Sequence, residues 1–416
     1  MGTIKIPAAE VLKKIYGETE ESSARYTNLA VNFEKKYHHD KAEFFTAPGR
    51  TEIIGNHVDH NGGQIIAASI DLDTIGAAYP NGTNVIHMIS EGYRQEVVVD
   101  LDKLSTETYT KGTDALVAGI MEYMKKKGYA TGGFDAYVST KVIAAAGVSS
   151  SASFEMLVCA ITNYFFNEGK LEYGEYARAG QYAENVYWKK ASGLMDQMAS
   201  SVGGLVFIDF HDPKTPVVEK VDYDFAHSGY TLCTIDSGAD HADLTDEYAA
   251  MPIEMKKVAA FFGKEVLREV DEQEFYAKIA EIRKETGDRA VLRAIHYFEE
   301  NARTLAQRDA LQAGQFAAFA ALVLESGRAS FALCQNVYCS TDVRHQGLSV
   351  ALALSQSILQ GSTGAWRMQG GGFAGTIQAY VPQSLLERYH SEIERVFGKG
   401  SCYILRLREQ GAVKVI

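Results

Sequence analysis

Thr46-Ala47-Pro48-Gly49-Arg50-Thr51-Glu52-Ile53-Ile54-Gly55-Asn56-His57-Val58-Asp59-His60-Asn61-Gly62-Gly63 is the stretch from which the rest of the chain is read. Pro48, Gly49, Gly55, Gly62 and Gly63 force several bends into a short length of backbone. Between the bends stand Arg50, Asn56, His57, Asp59, His60 and Asn61, while Ile53-Ile54 and Ile65-Ile66 tie the segment to an apolar interior. Polar groups held on an anchored, tightly turned segment suit a small-molecule site. A polar hairpin connection is the plainer reading of the same residues. His57, Asp59 and His60, with His38, His39 and Asp40 nearby, offer metal-type ligands. No further His or Cys cluster completes the three or four converging ligands that a transition metal needs, so that reading is not carried further.

A chain of 416 residues is long for one hydrophobic core, so two domains or one large two-lobed unit are expected. Its 41 basic and 53 acidic residues give a formal net charge of −12. That balance argues against nucleic-acid or membrane binding through bulk charge. It leaves room for an anionic nucleotide held locally by backbone amides and a metal. The five cysteines, Cys159, Cys233, Cys334, Cys339 and Cys402, are odd in number and scattered, and at least three sit in apolar runs. They read as buried free thiols of a reducing compartment. The opening residues carry no apolar signal core, and no stretch reads as long and apolar enough to span a bilayer. The expectation is a cytoplasmic protein.

Periodicity predicts helices within 8–37, over 114–127 and over 173–190, and strands over 65–78, 84–90, 95–101 and 134–143. Ala144-Ala145-Ala146-Gly147-Val148-Ser149-Ser150-Ser151-Ala152 follows the last of these strands and precedes an apolar helix over 153–166. Strand, small-residue loop and helix start is the order that puts backbone N–H groups and the helix dipole on a phosphate, with serine hydroxyls at hand for phosphate or magnesium. A plain N-cap is the alternative. Asp196 stands among Gly193, Leu194, Met195 and Met198 and reads as partly buried, where an unpaired carboxylate is costly and a functional partner is expected. A polar stretch with Pro213 and Pro216 over 209–225 marks a boundary or hinge, and the second half is helix-rich. Gly370-x-Gly372-x-x-Gly375 fits a dinucleotide-type glycine pattern formally, but a strand-like alternation over 376–381 stands where that pattern requires a helix.

The first stretch resembles the galactokinase signature of the GHMP sugar and metabolite kinases, with Gly49, Arg50, Ile54, Gly55, His57, Asp59, Asn61 and Gly63 in register. It departs at Asn56, where the family has Glu, and at His60, where the family has Tyr. Gly147, Ser149, Ser150, Ser151 and Ala152 match the second family motif, with Ala145 and Ala146 where glycines are usual. Ala183-Glu184 and Gly193-x-Met195-Asp196-Gln197 keep the family's spacing of Glu and Asp. Ser237, His241, Glu247 and Tyr248 match a further segment without its two arginines, and Arg367-Met368-Gln369-Gly370-Gly371-Gly372-Phe373-Ala374-Gly375 resembles the third motif.

The resemblance implies an α+β, two-lobed GHMP kinase fold, with a ribosomal-protein-S5-domain-2-like lobe over 1–208 and a ferredoxin-like lobe over 209–416. It implies ATP, Mg2+ and transfer of the γ-phosphoryl to the anomeric hydroxyl of galactose or a close relative. Asp196 would accept or orient the hydroxyl proton and Arg50 would hold Asp196 ionised. Ser151 and Glu184 would hold magnesium, and Gly147, Ser149 and Ser150 would cradle phosphate, with Ser90 near the nucleotide. Asn56, His57, Asp59, Gly193 and Tyr248 would read the sugar. Asn56 in place of Glu makes galacturonate or another C6-modified galactose the alternative substrate. A non-catalytic galactose- and ATP-binding sensor is the alternative of another class, and retention of Arg50, Ser151, Glu184 and Asp196 together argues against it. The expected partners are the sugar and ATP alone, on a monomer.

Overall fold

The computed structural model describes residues 4–142, 147–190, 192–238, 245–339 and 342–415. Ala145, Ala146 and His241, singled out in the sequence, lie outside the described residues.

The quoted stretch ends a long antiparallel ribbon. Strand β1 (Glu43–Ile54) pairs with β2 (Gln64–Pro80), and the register shifts between Pro48 and Arg50 and again between Glu52 and Ile54. Pro48 has no N–H to give the ladder, so a bulge here is the expected solution, and a bulge re-aims the side chains that follow it. Gly55, at φ 107°, closes the ribbon against the Ile65 backbone. A Cβ there would meet the Ile65 Cα at 2.7 Å, so no other residue fits.

Around this ribbon the first sheet adds β3 (Val85–Ser90), β4 (Val97–Asp100), β5 (Phe134–Thr140), β6 (Leu205–Asp209), β7 (Val217–Lys220) and β12 (Val413–Val415). Its order is β12-β1-β2-β5-β3-β4, with β6 on β2 and β7 on β6, and only β3–β5 is parallel. Alternation sends adjacent residues to opposite faces. Phe44 and Ala77 join Leu12, Tyr26 and Phe33 from helices α1 (Ala9–Tyr16) and α2 (Glu20–Tyr37). Phe45 and Ala78 join α3 (Gly112–Lys126), α4 (Ser150–Phe166) and α5 (Tyr173–Tyr182). A short helix, α6 (Met195–Val202), follows α5.

The second sheet is antiparallel throughout. Its strands are β8 (Tyr230–Asp236), β9 (Ala365–Met368), β10 (Thr376–Pro382) and β11 (Cys402–Leu405), in the order β11-β8-β10-β9. Helices α7 (Thr245–Phe261), α8 (Glu272–Ala277), α9 (Ile279–Thr286), α10 (Asp288–Gln312), α11 (Phe316–Ala329), α12 (Gly347–Leu359) and α13 (Leu386–Phe397) complete the chain. One apolar cluster runs from Ile53, Ile54 and Ile66 of the first sheet through Leu311, Phe319 and Val323 to Leu232 and Tyr380 of the second. The lobes therefore share a core at the end of the ribbon. A buried ion cluster reinforces it: the Arg367 guanidinium binds Glu52, donates to Ser326 Oγ at 3.0 Å and lies 3.6 Å from Glu300.

Four sequence expectations change. The first sheet runs past residue 208, through β7, and takes back residues 413–415, so the sheets do not divide at 208/209. The proline-bearing stretch at 209–225 holds the β6–β7 hairpin. The helix read over 173–190 gives way after Tyr182 to a wide π-turn, Ala183–Tyr187. The segment Phe316–Cys334 is long and apolar enough to cross a bilayer by composition, with mean hydropathy 1.4. In the fold one face of it packs Phe319 and Val323 into the shared core and donates from Ser326 Oγ to Glu300 at 2.6 Å, while Ala317, Ala321 and Glu325 face outward. All five cysteines are buried, as expected.

Candidate active site

Arg50, on β1 beyond the bulge, is 8% exposed. Its Nε and Nη2 donate to the two carboxylate oxygens of Asp196 at 2.7 Å each, and Nη1 donates to the Gly147 carbonyl at 2.5 Å. This fork-on-carboxylate geometry is the strong form of an ion pair. Asp196 sits in the first turn of α6, where the helix dipole also favours a negative charge. Burial alone would raise its carboxyl, but the Arg50 guanidinium outweighs it, with help from the Ser149 hydroxyl and Lys190, and holds it below the usual carboxylate range. Ser149 takes a left-handed backbone, φ 59°, uncommon for serine, and its hydroxyl donates to Asp196.

In the first turn of α4, Ser151 Oγ donates to Glu184 Oε1 at 2.9 Å. Glu184 lies in the π-turn and is 2% exposed. Its other oxygen accepts from Ser192 Oγ, and Lys190 Nζ stands 3.0 Å from Oε1. Single π-turns inside helices recur at functional sites because the extra residue turns a side chain out of helical register.

The polar end of the stretch completes the cavity. His57, at φ 58°, donates from Nε2 to the Gly371 carbonyl at 2.8 Å, which leaves Nδ1 as an acceptor. Burial, then the neighbouring His60, pushes its pKa down to about 3, so the ring is neutral. Asp59 lies 3.2 Å from His60 Nδ1. Burial would raise its carboxyl, but the His60 contact prevails and holds it low. A Cβ on Gly193 would meet Asp59 Oδ2 at 2.8 Å, so the bare backbone there admits the carboxylate. The Tyr248 ring packs edge-on to His57, 5.3 Å between centroids, and closes on Gly371.

Arg50, Asn56, His57, Asp59, Glu184, Gly193, Asp196 and Tyr248 thus line one cavity of 180 Å³. That is below the ~300–1,000 Å³ of drug-sized sites, the scale of a small polar ligand. Gly147, Ser149 and Ser151 adjoin it through Arg50, Asp196 and Glu184. Ser150 begins α4 beside them. Ser90 ends β3 opposite Val138 and is not among the lining residues.

Asn56 does something the sequence did not suggest. Its Nδ2 donates to the Gly370 carbonyl, and its Oδ1 accepts from Asn336 Nδ2 at 2.8 Å. Its backbone carbonyl accepts from His296 Nε2 at 2.9 Å. The side chain rivets the first motif to the third. Sequence reasoning also missed Lys190, Ser192 and Gln197, which line the cavity. A helix pattern read through Lys190 concealed the turn that brings Lys190 and Ser192 back to Glu184.

The residues present fit a magnesium nucleotide. Glu184 and the hydroxyls of Ser151 and Ser192 are hard oxygen donors suited to Mg2+. Beside Gly147, at φ 66°, the buried Thr376 Oγ1 has no hydrogen-bond partner among the described residues. An orphan hydroxyl over bare backbone, next to the start of α4, suits a phosphate oxygen.

Residues 32–80 match the galactokinase galactose-binding signature, and residues 115–204 match the GHMP kinases N-terminal domain. The galactokinase of Clostridium tetani (strain Massachusetts / E88) is 29% identical over 375 residues, spanning 89% of this chain and 92% of that protein. In both segments and in this relative the chain resembles the galactokinase branch of the GHMP kinases. It is a galactokinase-like sugar kinase. The GHMP fold extends over both lobes. The structure of Lactococcus lactis galactokinase complexed with galactose superposes with a TM-score of 0.79 at 24% identity, covering 93% of this chain and 99% of that one. Methanococcus jannaschii mevalonate kinase gives a TM-score of 0.60 at 13% identity, covering 88% and 98%. The galactose-binding signature of this kinase includes Arg50, His57 and Asp59, and its GHMP domain includes Ser151, Glu184 and Asp196.

Proposed function

We propose that this kinase transfers the γ-phosphoryl group of ATP to the anomeric hydroxyl of galactose. The observation that supports the reading is that the Arg50–Asp196 pair and Glu184 line one small cavity, with Ser151 adjoining it through its hydrogen bond to Glu184. Asp196, ionised by Arg50, orients the sugar hydroxyl and accepts its proton. Arg50 remains as positive charge beside the transferring group. Phosphoryl transfer has a loose transition state, so holding the hydroxyl in line counts for at least as much as removing its proton. Glu184 with Ser151 would hold magnesium, which would supply charge neutralisation to the phosphates. Gly147, Ser149 and Ser150, with the start of α4, take phosphate oxygens.

At the sugar end, Asp59 accepts hydroxyl hydrogens, neutral His57 offers an acceptor at Nδ1, and bare Gly193 lets the ring approach. Asn56 keeps a second substrate in play: it is uncharged where the family has Glu, so a carboxylate on the sixth carbon, as in galacturonate, meets no repulsion from it. The buried free thiols of Cys159, Cys233, Cys334 and Cys402 support the cytoplasm as the place of work. ADP release measured with galactose, galacturonate, glucose and mannose tests the reading. Galactose should give the highest kcat/KM, and equal ADP release with and without every sugar would remove the assignment.

A further inference from the structure

Lys190 is a cation in the site that the proposed reaction does not use. It lines the same cavity as Asp196, and its Nζ lies 3.0 Å from Glu184 Oε1. Its placement is built into the backbone. The π-turn ends with the Trp188 N–H on the Ala183 carbonyl, and Lys189 then takes a left-handed conformation, φ 56°. The Lys190 N–H bonds back to the Glu184 carbonyl at 3.0 Å. A left-handed cap of this kind reverses the chain over the last turn, and here it folds the Lys190 stem back across the Glu184 carboxylate. Lysine at position 189 adopts this backbone without being glycine, so the reversal is held by its surroundings.

The two partners are unlike. Glu184 is 2% exposed, and Lys190 is its one ion-pair partner among the described residues. The Lys190 side chain is 56% exposed. A buried carboxylate needs a counter-charge, whereas a long, half-solvated lysine gains little from being held there. A divalent cation with oxygen ligands offers that carboxylate a better partner than an ammonium group does.

We infer that Lys190 is the placeholder cation of the metal site: it neutralises Glu184 while the site is empty and yields that oxygen to Mg2+ when the metal nucleotide enters. This rests on the reading of Glu184 as the magnesium ligand. The exchange keeps the buried carboxylate neutralised in both states. It leaves a mobile ammonium group in the cavity, next to Asp196 and the triphosphate.

The test uses the full chain and Mn2+ alone as the probe, its binding read from the paramagnetic resonance of free Mn2+, without nucleotide or turnover. In Lys190→Met the competing cation is gone, so Mn2+ should bind about threefold to tenfold tighter than in the parent. The same variant should melt lower than the parent in metal-free buffer and recover more of the difference when Mn2+ is added. Glu184→Gln should lose Mn2+ binding at this site. Mn2+ binding that is unchanged or weaker in Lys190→Met, with the loss in Glu184→Gln intact, overturns the placeholder role alone. Mn2+ binding untouched by Glu184→Gln overturns the metal assignment and this inference with it.

Discussion

Replacing Asp196 with asparagine separates charge from shape at the centre of the site. Arg50 gives Asp196 two hydrogen bonds of 2.7 Å, one to each oxygen. Asparagine offers one acceptor and sets an NH2 group against the other donor, so one bond becomes a donor–donor contact. Breaking a fully buried pair costs about 3–5 kcal/mol. Here the Asp196 side chain is 30% exposed. Arg50 also keeps the Gly147 carbonyl. Water access reduces the expected loss of stability to about 1–3 kcal/mol.

The loss in turnover is separate and larger. An amide cannot take the hydroxyl proton, and loss of a positioned base costs about 10²–10⁴ in kcat, or ~3–5 kcal/mol of transition-state stabilisation. Sugar affinity by calorimetry should stay within a modest factor, because Asp59, His57 and Gly193 are untouched. The parent enzyme adds a pH signature. Arg50 holds Asp196 below the usual carboxylate range. The stabilisation of that pair is therefore complete above about pH 4 and is lost only as pH falls through the lower folded value. The acid limb of kcat/KM due to Asp196 belongs below about pH 4. A folded Asp196→Asn enzyme that retains turnover within tenfold of the parent, or whose whole deficit is sugar affinity, would refute this reasoning.

Two further outcomes follow from the same geometry. In Asn56→Glu, a carboxylate replaces the amide that donates to the Gly370 carbonyl, so chemical denaturation should show a loss of about 1–3 kcal/mol. Use of galacturonate should fall relative to galactose, and unchanged stability would mean that the rivet between the motifs is not formed. His57 is held neutral down to about pH 3 and gains its proton on unfolding. Stability should therefore fall as pH drops from about 6.5 toward 4, by up to ~1.4 kcal/mol per unit for each such histidine. Buried His296, also lowered by burial, adds to that slope. His57→Gln should flatten it, and an identical slope in the variant would show that His57 titrates normally.

The features legible in the sequence were those fixed by local chemistry. Gly55 must be glycine because the Ile65 backbone lies against it. Ser149, Ser150 and Ser151 precede an apolar run, and the structure starts α4 at Ser150. The family resemblance implied that Arg50 acts on Asp196 and Ser151 with Glu184, and the structure brings each of these pairs into contact. What escaped reading depends on distant parts of the chain. Nothing near Asn56 announces Asn336 or Gly370, some three hundred residues away, so the contacts its side chain makes with them were not read. Lys190 continued a helical pattern, and the left-handed residue before it was a lysine, which gives no sign of a reversal. The pairing of residues 413–415 with β1 is a matter of topology that periodicity does not carry.

The most direct test of the central claim is identification of the product. Incubated with ATP, Mg2+ and galactose, the enzyme should give ADP and one sugar phosphate, whose phosphorus resonance couples to the proton on the anomeric carbon. A phosphate on any other hydroxyl, or ADP formed with no sugar phosphate, would contradict the account.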